Sequence, residues 1–270
     1  MNENQSRAKI TFLVPSDSKL KIMRFTVLRF NELESTNDEA IKQAKQGAEE
    51  GLCIVARKQT KGRGRIGRSW FSPMDAGLYF SLLLRPKIDV TNLPLITLMT
   101  AVAVHDTLEE LYHLECDIKW VNDIHINGKK VCGILTETTE TDKGLAVIVG
   151  IGINLRSSNF PPEITDTATS IENETNIVPD IQILVDTLTK KLSAAYKVFC
   201  SQEGREKICE EWKKRSSYAY NKLVRAKTET GYFEGITQGI EKNGALILKL
   251  HSGETKTIHA GEIEELRSLT

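Results

Sequence analysis

The segment from Arg57 to Arg68 restricts this chain more than any other. It carries six cations (Arg57, Lys58, Lys61, Arg63, Arg65, Arg68), no anion, and glycines at Gly62, Gly64 and Gly67. Each glycine inside a helix or strand costs roughly 0.5–1 kcal/mol relative to alanine, so three of them so close together predict a loop. On either side lie strand-like apolar runs, Leu52 to Ala56 and Gly77 to Leu84. Glycines let backbone N–H groups come close to a ligand, and guanidinium forks match phosphate or carboxylate oxygens two at a time. The segment predicts a mobile anion-binding loop, although by itself it fits a solvated basic loop as well. It also spells G-x-G-x-x-G. The dinucleotide fingerprint must open a helix, however, and here Ser69-Trp70-Phe71-Ser72-Pro73 follows, which excludes a Rossmann reading.

The cations of this loop matter the more because the whole chain is neutral, with 36 Lys plus Arg against 36 Asp plus Glu over 270 residues. A global field drawing the protein onto nucleic acid or anionic lipid is absent, so phosphate affinity must come from a local cluster. Five cysteines (Cys53, Cys116, Cys132, Cys200, Cys209) form no C-x-x-C pair, which fits reduced thiols and a cytoplasmic location. The most apolar stretch, Leu93 to Val104, contains Pro94, Thr97 and Thr100 and falls short of the roughly 20 residues that cross a bilayer. No membrane span and no signal peptide are expected.

Residues 1–23 lack periodicity and read as a loose extension, too short for a winged helix. A strand from Phe25 to Phe30 precedes a helix that Ser35 or Thr36 caps and that runs to about Gln46. Leu93 to Tyr112 has the length of a buried helix. Strands follow at Cys116 to Val121, Lys130 to Glu137 and Leu145 to Ile153, with Asn127-Gly128 as a hairpin turn between the first two. Asp180 to Phe199 and Arg205 to Lys214 are amphipathic helices. Beyond Tyr218 short strands alternate with turns (Leu223 to Ala226, Gly231 to Ile240, Ala245 to Leu250, Thr255 to His259), predicting a small closing β barrel. The expected architecture is a mixed α/β sheet with boundaries at 1–23, 24–217 and 218–270.

Three further places could carry chemistry. Lys119-Trp120-Val121-Asn122-Asp123 sets polar groups at a strand end. Lys130 opens the strand that continues through Gly133, where its ammonium could clamp an anion, although spacing alone favours a surface lysine beside a turn. Gly150-Ile151-Gly152-Ile153-Asn154 ends a strand with two glycines and an amide, suited either to a planar ligand against bare backbone or to a capped bulge. The five histidines show no metal-ligand or triad spacing, and no metal site is expected.

Taken together, these segments resemble the biotin protein ligases. The resemblance lies in Glu34-Ser35-Thr36-Asn37, the run from Gln59 to Trp70, Lys119 to Asp123, Lys130 to Leu135, and Gly150 to Asn154. These occur in the family's order and span about Phe25 to Leu269, including Gly261-Glu262-Ile263 and Arg267. The family usually has Pro at the position of Val121, and its bifunctional members carry an N-terminal winged helix. The resemblance implies an α+β fold: a mixed-sheet catalytic domain of the biotin/lipoate ligase type and a small C-terminal SH3-like β barrel.

It also implies a two-step reaction. Biotin's carboxylate attacks the α-phosphorus of ATP, giving biotinyl-adenylate and pyrophosphate, and a lysine of a biotin carboxyl carrier protein then takes the acyl group. Like-charge repulsion between the reactants calls for cations and positioning. By similarity, Ser35, Thr36, Gln59, Gly62, Arg63, Lys130 and Gly133 line the biotin pocket. Arg63, Arg65, Arg68, Trp70, Asn122, Asn154 and Arg267 meet the nucleotide, with Trp70 over the adenine. Lys130, Arg65 and Lys119 are the catalytic group, Lys130 bridging carboxylate and α-phosphate. Mg2+ arrives with ATP, no cofactor is permanently bound, and neither DNA nor membrane is a partner, while a homodimer is allowed. Lipoate or octanoate transfer on a related fold is the nearest rival. A non-enzymatic RNA-binding module would want net positive charge and more aromatics than the 6% present.

Overall fold

The structure is a computed structural model that describes residues 5–8, 24–156 and 160–265. Along the chain run β1 (Gln5–Ala8), β2 (Thr26–Leu33), α1 (Thr36–Lys45), β3 (Leu52–Gln59), β4 (Gly77–Leu84), α2 (Pro94–Tyr112), β5 (Asp117–Lys119), β6 (Asp123–Ile126), β7 (Lys129–Thr139) and β8 (Ala146–Asn154). Then follow α3 (Ile171–Thr175), α4 (Ile181–Phe199), α5 (Gly204–Lys214) and the strands β9 (Tyr220–Thr228), β10 (Gly231–Ile240), β11 (Leu246–Leu250), β12 (Thr255–Ile258) and β13 (Glu262–Glu265). The described residues fall into two compact units, Met1–Lys87 with Lys129–Thr189 and Ile88–Gly128 with Lys190–Thr270.

The first unit is built on a mixed sheet in the order β1-β2-β3-β4-β8-β7. β2 and β3 are parallel because α1 carries the chain across between them, and the other neighbours are antiparallel. Every residue of β4 is buried, as a central strand covered on both faces requires. Ser35 caps α1 by accepting from the Asp38 N–H, and Asp38 and Glu39 follow in the first turn, where acidic side chains complement the helix dipole. α1 presents Ala40 and Ala44 to Leu28, Leu52, Ile54, Leu83 and Ile148. Two alanines let the helix lie close to the sheet, which brings its N-terminus down onto β7 and β8.

In the second unit α2 starts with Pro94 in its first turn and ends at His113 in the left-handed region, φ 54°. Its buried residues Leu95 and Leu98 meet Gly244, where a Cβ would come within 2.9 Å of Leu98. Trp120 Nε1 donates to the Gly244 carbonyl at 3.0 Å, and Ser216 Oγ to that of Ile118 at 2.6 Å. A five-stranded antiparallel sheet in the order β12-β11-β10-β9-β13 completes this unit. The fold is α+β, as expected.

Several expectations need correcting. Residues 5–8, read as part of a loose extension, form an edge strand paired with β2. The strand expected from Cys116 to Val121 is only Asp117–Lys119, and a second short strand, Asp123–Ile126, pairs with it. Asn127 (φ 51°) and Gly128 (φ 77°) therefore turn the chain from β6 into β7, not from the longer strand. α3, capped by Ser170, and β13 were not anticipated. β13 reads Glu-Ile-Glu-Glu, in which a single apolar residue conceals a strand held by its pairing to β9.

Candidate active site

The expected loop is a loop, but it is tied down. Gln59 accepts from the Thr36 N–H at 2.8 Å and from its hydroxyl at 3.1 Å, and donates to Ser72 Oγ at 2.9 Å. One amide thus joins the start of α1, the root of the loop and its return. Gly62 is packed so closely that a Cβ there would lie 2.4 Å from the Trp70 carbonyl and 2.6 Å from Ser72 Oγ. The two arms are joined by the Trp70 N–H to the Gly62 carbonyl and by a bridge between Arg63 and Ser69. At the tip the Gly64 N–H reaches the Arg68 carbonyl at 2.7 Å, and Ile66 is 73% exposed.

The fold answers the cation surplus with carboxylates from distant segments. Arg57 forms a two-pronged pair with Asp75, Lys58 meets Glu32 at 2.6 Å, and Lys61 meets Glu34 at 2.8 Å. The Arg63 guanidinium contacts both oxygens of Glu137, at 2.7 and 2.8 Å, and Asp38 at 2.6 Å. Burial works against its charge, but the Glu137 and Asp38 carboxylates outweigh this and hold its pKa above the ordinary arginine value. Arg57, Lys58, Lys61 and Arg63 are thus matched by acids, and Arg65, half-buried, and Arg68, exposed, flank Ile66 and Gly67 at the tip of the loop.

β7 and β8 supply the floor. Gly133 on β7 is directly opposite Gly152 on β8, and Leu135 is opposite Gly150. The Trp70 indole lies on this bare patch: a Cβ at Gly152 would be 2.4 Å from the ring, and one at Gly133 would be 2.9 Å from it. The Lys130 ammonium stands 5.4 Å from the centre of the same ring and would be 3.2 Å from a Cβ at Gly133. Trp70 Nε1 is buried without a hydrogen-bond partner. Asn154 donates to the Thr169 carbonyl at 2.9 Å and to that of Lys130 at 3.4 Å, bracing the strand end that presents the lysine.

The structure therefore brings together Ser35, Thr36, Gln59, Gly62, Arg63, Trp70, Lys130, Gly133 and Asn154 in the first unit, with Arg65 and Arg68 on the loop above. Lys119 and Asn122 belong to the second unit, where the Lys119 ammonium is 5.9 Å from the Tyr218 ring centre. Arg267 lies outside the described residues. Sequence reasoning missed Ser81, which donates to Thr36 Oγ1 at 2.8 Å and to Asn37 Oδ1 at 2.6 Å. It also missed the roles of Asn37 and Glu137, whose side chains meet at 2.7 Å. A hydroxyl amid the apolar run of β4 was the one available signal.

A glycine floor, a lysine above it and an amide-anchored cationic loop make a site for a planar polar ligand and an anion, and comparison with known proteins agrees. Residues 30–154 match the biotin/lipoate A/B protein ligase family, and residues 220–264 match the biotin protein ligase C terminal domain. The bifunctional ligase/repressor BirA of Bacillus subtilis is 38% identical over 251 residues, covering 91% of this chain and 76% of that one. A biotin–[acetyl-CoA-carboxylase] ligase of Paracoccus denitrificans is 34% identical, covering 85% and 96%. Among solved structures, the biotin protein ligase from Aquifex aeolicus in complex with biotin and ATP superposes with a TM-score of 0.78 at 32% identity, over 90% of this chain and 99% of that one. With two regions matched by family models and relatives 38% and 34% identical over 91% and 85% of its length, the chain belongs to the biotin protein ligase family.

Proposed function

We propose that this protein activates biotin with ATP to biotinyl-adenylate and transfers the biotinyl group to a lysine of a biotin carboxyl carrier protein. The observation that carries this reading is the Lys130 ammonium beside the Trp70 indole, which is seated on the paired glycines Gly133 and Gly152, in the same unit as the Gln59–Thr36 contact. The polar ureido end of biotin is held by directed hydrogen bonds from Ser35, Thr36 and Gln59, and by the sequence resemblance Gly62, Arg63 and Gly133 also belong to the biotin pocket.

In the first step the biotin carboxylate attacks the α-phosphorus and pyrophosphate leaves. Two anions must approach, and Lys130 lowers that barrier by standing between them. Arg65 and Arg68 take the phosphates of ATP, which enters as its Mg2+ complex. Asn154 holds the strand end beside Lys130, and Trp70 covers the nucleotide side. The loop closes over the adenylate and keeps water from the reactive anhydride. In the second step the carrier lysine attacks the acyl carbon and AMP departs. Roles for Lys119, Asn122 and Arg267 rest on the sequence resemblance alone. So does a division into a catalytic domain at 24–217 and a C-terminal domain at 218–270.

Five cysteines without a disulfide support a reducing, cytoplasmic setting, and no described helix is long and apolar enough to cross a membrane. The decisive assay incubates the protein with labelled biotin, MgATP and a carrier domain. Acid-stable label on the carrier, lost when its acceptor lysine becomes arginine, is expected. Absence of both pyrophosphate release and label would refute the reading, and transfer of lipoate in place of biotin would move the protein to the neighbouring activity.

A further inference from the structure

Resting on that reading, we propose that Glu137 is a positioning residue which, through Arg63 and Asn37, holds the cationic loop and the head of α1 in register with the glycine floor.

The argument begins with the number of segments meeting at one carboxylate. Glu137 Oε1 accepts from Arg63 and its Oε2 accepts from both Arg63 and Asn37, at 2.7, 2.8 and 2.7 Å. Arg63 belongs to the loop, Asn37 to the first turn of α1, and Glu137 to the strand that carries Lys130 and Gly133. Asn37 also donates to the Leu135 carbonyl at 3.2 Å and accepts from Ser81 on β4. Asp38 closes the ring by taking the remaining Arg63 contact. Three chain segments and a central strand thus share one ion-paired network, directly behind the Thr36–Gln59 contact. Charge-assisted hydrogen bonds of this geometry are short and orientation-specific, and networks of them gain by mutual polarisation.

The chemistry decides between two uses of Arg63. A guanidinium that is to receive phosphate should have its fork open to the ligand. Here both terminal nitrogens are engaged by two carboxylates, and delivering the fork to ATP would leave Glu137 and Asp38 as unpaired neighbouring anions beside a triphosphate. The side chain therefore acts as a strut that aims the loop backbone and not as a phosphate ligand. Glu137 touches no substrate in this arrangement; it sets the distance between the loop root and the floor that biotin must bridge.

The test uses the full chain with Glu137→Ala, Glu137→Gln, Arg63→Ala and the double alanine variant. In pyrophosphate-release kinetics Glu137→Ala should raise the KM for biotin about tenfold, the scale of one charge-assisted hydrogen bond, and change kcat by less than about threefold. Glu137→Gln, which keeps an acceptor, should recover part of the loss. Arg63→Ala should add little in the Glu137→Ala background, since the two act as a unit. A full and equal rise in the KM for ATP in both backgrounds would make Arg63 a phosphate ligand and overturn the proposal. Hydrogen exchange of the ligand-free protein gives a readout independent of activity: the Gly64 and Trp70 amides should exchange faster in Glu137→Ala and return toward the parent in Glu137→Gln. Faster exchange in Glu137→Ala, with a parent that proves inactive, would leave the strut standing and refute the ligase reading. Unchanged exchange and an unchanged biotin KM in an active parent would refute the strut alone.

Discussion

Replacing Gly150 with alanine tests the packing beneath the site. A Cβ there would lie 2.4 Å from Asn37 Oδ1 and 2.9 Å from its Cγ and Nδ2, whereas carbon meets a non-bonded heavy atom comfortably at about 3.5 Å or more. The Asn37 amide must withdraw by about 1 Å, the difference between those distances. It has little room to do so, being 3% exposed and bonded to Ser81, Glu137 and the Leu135 carbonyl. Overpacking of this kind costs about 1–3 kcal/mol, and each strained hydrogen bond adds about 0.5–1.5 kcal/mol, with the contributions not fully additive. A loss of about 2–4 kcal/mol is expected, which in a chain of this size lowers Tm by roughly 5–15 °C. Urea unfolding with a common slope measures it, and Gly64→Ala is the control, because its Cβ would meet Arg68 only at 3.4 Å or beyond. Adding Asn37→Ala removes the obstructing amide, so the double variant should be at least about 1 kcal/mol more stable than the two single losses summed. A Gly150→Ala protein within about 0.5 kcal/mol of the parent would show that Asn37 is not held where the hydrogen bonds place it, and the reasoning about the head of α1 would fall with it.

Other outcomes follow from the same geometry. Lys130→Ala should leave the protein folded and slow pyrophosphate release by about 10²–10³-fold, on the scale of removing one preorganised electrostatic contact; a change under about threefold would dismiss it as the clamp. Arg65→Ala should speed dissociation of biotinyl-adenylate by roughly 10–150-fold, corresponding to about 1.5–3 kcal/mol, with a smaller effect on biotin, and equal effects on both ligands would place Arg65 away from the phosphate. Asp106 is paired with Arg215 at 2.6 and 3.1 Å. Burial raises its pKa, but the His105 and Arg215 contacts prevail and hold it below the usual carboxylate value. A lowered native pKa gives stability that is present above the unfolded value, near 4, and is lost as pH falls through the native one. Asp106→Asn should therefore lower Tm at pH 7 and make little difference near pH 2, and a penalty independent of pH would show that the charge is not what matters.

Where the sequence was most legible, one physical signal sufficed. β4 was placed at both ends because its apolar run is bounded by Gly77 and Arg85, and the start of α1 because Ser35 or Thr36 could cap it, Ser35 being the one that does. Gly152 stood out as a strand-end glycine and Lys130 as a cation opening a strand, while the place of Gly133 in the site came from the family resemblance alone. What escaped depends on distances along the chain. Glu137 is 74 residues from Arg63 and 100 from Asn37, and nothing local marks one glutamate in a Thr-Glu-Thr-Thr strand as the partner of a loop arginine. For the same reason the six-cation run looked like a phosphate trap of six arms. In the fold Arg57, Lys58, Lys61 and Arg63 are paired with acids from β2, the turn leading into α1, α1 itself, the strand β7 and the segment before β4, so a stretch that holds no anion along the chain is compensated in space.

That redistribution changes what the glycines are for. Read along the chain, Gly62, Gly64 and Gly67 suggest a backbone that wraps phosphate, and Gly150 and Gly152 suggest either a seat for a planar ligand or a bulge. In the fold, Gly62 gives way to the returning arm of its own loop, Gly150 to the Asn37 amide, and Gly133 and Gly152 to the Trp70 ring. All four positions have φ outside the left-handed region that glycine alone tolerates readily, so what each supplies is the space of a missing Cβ rather than unusual backbone. Alanine at any of them should therefore be tolerated where the opposing group can retreat and harmful where it cannot. Trp70, partly exposed on a loop, can retreat from Gly152. Asn37, locked by Ser81 and Glu137, cannot retreat from Gly150. Gly152→Ala should accordingly cost less stability than Gly150→Ala while disturbing ligand binding at least as much, because the group that moves is the one lying over the floor. A Gly152→Ala protein that binds biotin and ATP like the parent would mean that the indole's seat on the glycine pair has no part in forming the site.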